Sequence, residues 1–195
     1  MLEQSLQRAA LIALGWHMRS EAITFPPPLV FRHLDQTEQV LPVGTSLSQI
    51  YDQTSGELLV LGEPGAGKST LLVHLAQELL TRSENDSQQP LPTIFNLSSW
   101  AHKQLSLEDW LVEELLVSYQ VPHKLGKRWI QTGYILPLFD GLDEIPTSAL
   151  DLCINAINTY RSDHLTPMVI CSRTTEYLSQ CTRLELQDKI GRAHV

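Results

Sequence analysis

Apolar positions along the chain follow two rhythms, and the change from one to the other sets out its organisation. At the start, Leu2, Leu6, Ala9, Ala10, Leu11 and Leu14 recur at helical spacing. That spacing predicts an amphipathic helix ending near Gly15, with an apolar face in need of a partner. Phe25-Pro26-Pro27-Pro28 cannot continue a helix, and the mixed, polar stretch to Pro42 reads as an extended connector. Ser46 to Tyr51 is expected to form a short helix capped by Thr45 or Ser46.

Beyond this point short apolar runs alternate with amphipathic segments. Glu57 to Leu61 reads as a strand, followed by a glycine-rich turn and a helix from Lys68 to Thr81 with Leu71, Leu72, Leu75, Leu79 and Leu80 available to cover a sheet. A polar loop, Ser83 to Gln89, leads to a short strand at Thr93 to Asn96. Leu107, Leu111, Val112 and Leu115 then place an apolar stripe on a helix running to about Tyr119, with Glu108, Glu113 and Glu114 on its wet side, and Pro122 breaks it. Tyr134 to Asp140 is a third strand, Ala149 to Arg161 a helix and Met168 to Cys171 a fourth strand. This alternation predicts a layered α/β domain with a mostly parallel sheet. Pro137 is awkward in a central strand, so regular pairing is expected to begin only after it, or the strand to bulge there. No internal repeat or low-complexity tract interrupts the pattern.

Composition narrows the picture. The 195 residues are 43% hydrophobic, enough for one domain with a core and short for a multidomain machine. A net charge of -8, without a dense Lys/Arg cluster, gives no electrostatic footprint for DNA or RNA. The three cysteines, Cys153, Cys171 and Cys181, lack the close pairing of zinc or redox sites and read as buried or idle thiols of a reducing, cytoplasmic compartment. Met1 to Trp16 carries Glu3, Gln4, Gln7 and Arg8 through its apolar pattern, unlike a signal peptide, and no apolar run approaches the roughly 20 residues of a membrane span. His74, His102, His123 and His164 are scattered without metal spacing. Trp100, Trp110 and Trp129 read as packing anchors. Ile190-Gly191-Arg192-Ala193-His194-Val195 resembles the translation of a common sequencing adaptor, so residues 190–195 are set aside from the fold as a non-native tail.

Three motifs carry chemistry. The first is Gly62-Glu63-Pro64-Gly65-Ala66-Gly67-Lys68-Ser69, a complete phosphate-binding loop between a strand and an amphipathic helix. Its glycines permit close approach of the backbone and unusual dihedrals, so that N–H groups can turn inward around an anion. The helix from Lys68 adds its positive end. Lys68 is expected to reach the β- and γ-phosphates of a nucleotide, the Ser69 hydroxyl to ligate magnesium, and Thr70 to support the loop. The second motif is the apolar strand ending in Asp140-Gly141-Leu142-Asp143-Glu144. An acidic turn after a strand is commonly just solvated. Downstream of a phosphate loop it becomes the expected second half of the site. Asp140, at the end of a strand expected to neighbour the loop, is the candidate magnesium ligand. Asp143 and Glu144, one or both, are candidates to position or deprotonate the attacking water. The third is Met168 to Arg173, where a cation at a strand end would sense a γ-phosphate. These features describe a P-loop NTPase core, and no Asn-Lys-x-Asp guanine-reading motif follows Asp140, which favours ATP over GTP.

Together these residues resemble the NACHT domain of the STAND class of signalling NTPases, of the kind common in bacteria. The resemblance rests on Leu59 to Thr70, Phe95-Asn96-Leu97-Ser98-Ser99-Trp100, Leu138 to Glu144 and Cys171 to Tyr177, across about residues 57 to 180. The Asp-Gly-x-Asp-Glu form is the most discriminating, since many other P-loop ATPases place Glu directly after the first Asp. The resemblance implies a three-layer P-loop fold binding ATP or ADP with Mg2+, with Asp140 on the metal, Asp143 and Glu144 supporting hydrolysis and Arg173 as first sensor. It also puts Ser98-Ser99-Trp100 near the nucleotide. The chain then divides into an N-terminal helix and linker (1–50), a core (51–189) incomplete at its C-terminus, and the tail. Family members usually continue into a winged-helix region and ligand-detecting repeats, so effector domains or self-association belong to the full-length protein. The implied function is a slow ATPase used as a switch. An ATPase of ordinary turnover and a non-hydrolysing scaffold stabilised by nucleotide are the alternatives.

Overall fold

Leu58 to Leu61 and Met168 to Cys171 are apolar at every position, the pattern of strands covered on both faces. In the computed structural model all eight of these residues are fully shielded from solvent. The structure describes residues 45–103 and 105–186 in full, and 30–32, 39–40 and 191–194 as backbone strands. The N-terminal helix expected over Leu2 to Leu14 lies outside the described residues.

In chain order the elements are β1 (Val30–Arg32), β2 (Gln39–Val40), α1 (Leu47–Gln53), β3 (Glu57–Gly62), α2 (Lys68–Asn85), β4 (Leu91–Asn96), α3 (Ser98–Lys103), α4 (Leu107–Tyr119), α5 (His123–Gln131), β5 (Ile135–Asp140), a 3-10 turn (Leu142–Glu144), α6 (Thr147–His164), β6 (Met168–Arg173), α7 (Thr174–Leu178) and β7 (Gly191–His194). The sheet order is β2-β1-β7-β3-β6-β5-β4. β7, β3, β6, β5 and β4 run parallel, and β1 is antiparallel to both β2 and β7. The domain is therefore α/β with a mostly parallel sheet, as the alternation of patterns predicts. Parallel crossovers are right-handed. The chain leaves β3 for the far strand β4 and then returns by way of β5 and β6, so α2 covers one face and α4 to α6 the other. α2 lies across β3 to β6, and α6 packs on α3 and α4.

Local chemistry explains most boundaries. Ser46 caps α1 by accepting from the Gln49 amide, and the Gln49 side chain reciprocates on the Ser46 amide. α2 buries Leu71, Leu72, Leu75, Ala76 and Leu79, with Leu80 at the margin. Ser106 caps α4, whose buried stripe is Leu107, Trp110, Leu111, Val112 and Leu115. Trp110 is fully buried, its ring stacked on Phe139 and tilted against Phe95. Trp100 and Trp129 are also core residues. At the foot of the sheet Arg161 of α6 pairs with Glu57 of β3 through both carboxylate oxygens, at 3.1 and 3.2 Å.

Several features depart from the sequence reading. α4 ends at Tyr119 on Gln120 in a left-handed cap, before Pro122, and Pro122 stands at the N-cap of a further helix, α5, because a proline's missing N–H costs nothing at a helix start. The connector contains the short strands β1 and β2. β4 begins at Leu91, and α2 continues through polar residues to Asn85. Pro137 causes no break: β5 pairs with β4 along its whole length, including Thr93 with Pro137. On the β6 side pairing begins at Leu138, after the proline. Gly191–His194, set aside as tail, pairs in parallel with Leu58 to Leu61. A strand edge offers backbone donors and acceptors that any extended segment without proline can meet. Among the described residues no helix is long and apolar enough to cross a membrane.

Candidate nucleotide-binding site

Parallel strands present their carboxyl ends on one side of a sheet, and that is where the three motifs emerge. Gly62 is the register partner of Arg173, and Asp140 that of Asn96. The sequence pattern places Asp140 on a strand next to the phosphate loop. Instead β6 lies between β3 and β5. The order of strands is a tertiary choice that local pattern does not encode. Its effect is to put Arg173 between the loop and the acids.

The loop is closed by the Ala66 amide donating to the Glu63 carbonyl at 3.1 Å, and the Leu71 amide bonds the Gly67 carbonyl at the helix start. Gly65 and Gly67 adopt φ of +77° and +82°, and a Cβ on either would meet nothing within 4 Å. Both glycines are therefore required by dihedral, not by crowding within the chain. Gly62 does not share that role: it is the last residue of β3 and is absent from the positive-φ glycines. The first turn of a helix leaves amide N–H groups without intrahelical partners, so the loop and the start of α2 suit an anion. Lys68 is folded back over the loop root, its Nζ donating to the carbonyls of Gly62 at 3.0 Å and Glu63 at 3.1 Å. Ser69 is exposed in the first turn of α2, with Thr70 half-buried beside it. Glu63 and Pro64 are exposed, and Ala66 is half-buried.

At the end of β5, Asp140 Oδ1 accepts from the Gly141 amide at 3.0 Å, and its carbonyl accepts from Leu97 at 2.9 Å. Gly141 takes φ +74°, and a Cβ there would stand 3.0 Å from Glu144 Oε2 and 3.2 Å from Asn96 Oδ1. The glycine of Asp-Gly-x-Asp-Glu thus serves two needs: a left-handed turn into the 3-10 segment, and room for the next acid to fold back. Asp143 and Glu144 part company here. Asp143, its side chain 8% exposed, sits on Arg173. Glu144 is exposed, and among the described residues neither it nor Asp140 has an ion-pair partner.

Two further residues border the site. Asn96 Oδ1 accepts from the Ser98 amide at 2.8 Å, which starts α3. A polar residue ending a strand before Ser-Ser is the sequence signal for such a cap. Cys171 is buried beneath the motifs. Burial pushes its thiol well above the ordinary range; Asp140 and Asp143 push the same way, and Lys68 works against them.

The residues present fit a magnesium nucleotide. Gly65 and Gly67 hold a loop open to an anion, and among the described residues Lys68 has no carboxylate partner and Asp140 no cationic one. Magnesium characteristically takes one or two protein ligands and completes its shell with phosphate and water. Among the described residues, no group of three or more His, Cys, Asp or Glu forms a dedicated metal cage.

A glycine loop between a parallel strand and its helix, with acids and an arginine at the ends of the neighbouring strands, defines a P-loop NTPase core. The family model for the NACHT domain matches residues 57–176, and the chain belongs to that family. No curated protein gives a significant match. A solved structure of C. elegans PCH-2 aligns at 12% identity with a TM-score of 0.43, covering 99% of this chain and 42% of that one. The chain thus spans less than half the length of that protein.

Proposed function

We propose that this chain is the ATP-binding, Mg2+-dependent core of a STAND signalling switch, in which slow hydrolysis resets a conformational or assembly state. The observation that carries the reading is the convergence of four residues at the carboxyl ends of neighbouring strands: Lys68 over the root of its loop, Asp140 and Glu144 without a cationic partner among the described residues, and Arg173 on the strand between. Backbone N–H groups of the loop and α2 would bind the phosphates, with Lys68 moving from the Gly62 and Glu63 carbonyls to them. Ser69 and Asp140 would hold Mg2+, which when bound neutralises phosphate charge. Glu144 would orient the attacking water, since its carboxylate is exposed. Arg173 would report whether a γ-phosphate is present. ATP is preferred to GTP because no guanine-reading motif follows Asp140. Effector domains or self-association in the longer protein would convert the nucleotide state into output.

The test is nucleotide binding and hydrolysis by the 195-residue chain in magnesium buffer. Lys68→Ala should abolish detectable binding, and Glu144→Gln should bind but not turn over. Binding that survives in Lys68→Ala would sink the site assignment. Turnover of many per second would argue for an ordinary ATPase, and no turnover by the wild type for a nucleotide-stabilised scaffold.

A further inference from the structure

One residue engages both oxygens of the Asp143 carboxylate. Oδ1 accepts from the Arg173 backbone amide at 3.0 Å, and Oδ2 pairs with Arg173 Nε at 2.8 Å. The Asp143 side chain is 8% exposed while that of Arg173 is 42% exposed. A carboxylate that is to take a proton from water needs an oxygen facing that water. Glu144 meets that requirement, and Asp143 does not.

Arginine offers five N–H donors in a rigid planar fork. Asp143 occupies the Nε edge and leaves the terminal nitrogens, of which Nη1 reaches Glu176 Oε1 at 3.5 Å. The amide contact does something separate. It fixes the end of β6 to the 3-10 turn and so sets where the guanidinium starts from.

We infer that Asp143 is a positioning residue that acts on the nucleotide through Arg173, orienting the guanidinium for the γ-phosphate, and takes no part in activating water. The inference rests on the functional reading above and divides its acidic pair: Glu144 governs turnover, and Asp143 governs discrimination between triphosphate and diphosphate. Charge-assisted hydrogen bonds from a guanidinium depend on its orientation. Releasing the fork should therefore weaken the contact that only ATP makes.

The experiment is calorimetric titration of the chain with ADP and with a non-hydrolysable ATP analogue, both with Mg2+. Asp143→Asn is expected to lower the preference for the triphosphate about tenfold while ADP affinity stays within about twofold. Glu144→Gln should lose turnover and keep the preference. Arg173→Lys, which retains charge but not the fork, should match Asp143→Asn, and the double variant should be no worse than either. An unchanged preference in Asp143→Asn, or additive losses in the double variant, would overturn the inference. Should circular dichroism show Asp143→Asn unfolded, Arg173→Lys decides, and an unchanged preference there overturns it equally. Failure of the wild type to bind nucleotide, or retained binding in Lys68→Ala, would overturn the functional reading and this inference with it. Normal behaviour of those two with an unchanged preference removes this inference alone.

Discussion

The carboxylate of Glu144 is folded back over Gly141, its Oε2 3.0 Å from the point where a Cβ on Gly141 would stand. Gly141→Ala therefore strains the protein twice. A left-handed φ costs an L-residue about 1–2 kcal/mol, and the new methyl displaces the carboxylate. Hydrolysis should fall more than nucleotide affinity, with stability lower by about 1–2 kcal/mol in urea unfolding. Equal loss of both activities would show that Glu144 is not held by this contact.

The Glu57–Arg161 pair lies at the opposite end of β3 from the loop, with side chains 7% and 16% exposed. Removing the guanidinium deletes the charge-assisted hydrogen bonds that it gives to both Glu57 oxygens, at about 1.5–3 kcal/mol. Arg161→Met should lower the unfolding midpoint strongly and leave nucleotide affinity unchanged. A variant as stable as the wild type would place the pair among the weak surface bridges.

Trp110 fills the space between α4 and the sheet and donates from Nε1 to Ser99 Oγ at 3.0 Å. Ser99 also meets Glu114 and the Asn96 carbonyl, so its hydroxyl is not orphaned by the loss. Trp110→Ala should cost about 3–5 kcal/mol, from the lost burial of the ring and the cavity left behind. Chemical denaturation measures this directly.

Alkaline stability has a definite sign. Burial pushes Cys153 up to about 12 and, as the leading cause, Tyr51 and Tyr119 each to about 12. Their ordinary values are 9.0 for the thiol and 10.0 for the phenols. Above pH about 9 the unfolded chain ionises first while the folded one stays neutral, so stability falls as pH rises toward about 12. Stability that is flat across this window would contradict the burial. The same burial makes Cys153 and Cys171 poor thiolates, whereas Cys181 is exposed. A thiol reagent should therefore label one cysteine rapidly in the native chain and the other two only on unfolding.

The sequence makes local chemistry plain and pairing obscure. The shielded strands β3 and β6 were readable because a strand covered on both faces has no polar side, and Gly65, Gly67 and Lys68 announced the loop through a rigid spacing. The helix after Pro122 escapes the sequence pattern because a proline marks a boundary without saying what starts there. The position of β6 between β3 and β5 is set by crossover geometry across distant segments. The separate fates of Asp143 and Glu144 depend on Arg173, thirty positions away, and no window around the acids contains it.

Gly62 and Arg173 are register partners on adjacent hydrogen-bonded strands. The root of the phosphate loop and the backbone of the arginine are thus fastened to one slab of sheet, and their separation is a fixed length of the molecule. Under the proposed function, a change of nucleotide would therefore not be transmitted by stretching that length; it would leave the slab at its margins, through the Lys68 and Arg173 side chains and through α7, which departs from the sheet at Thr174.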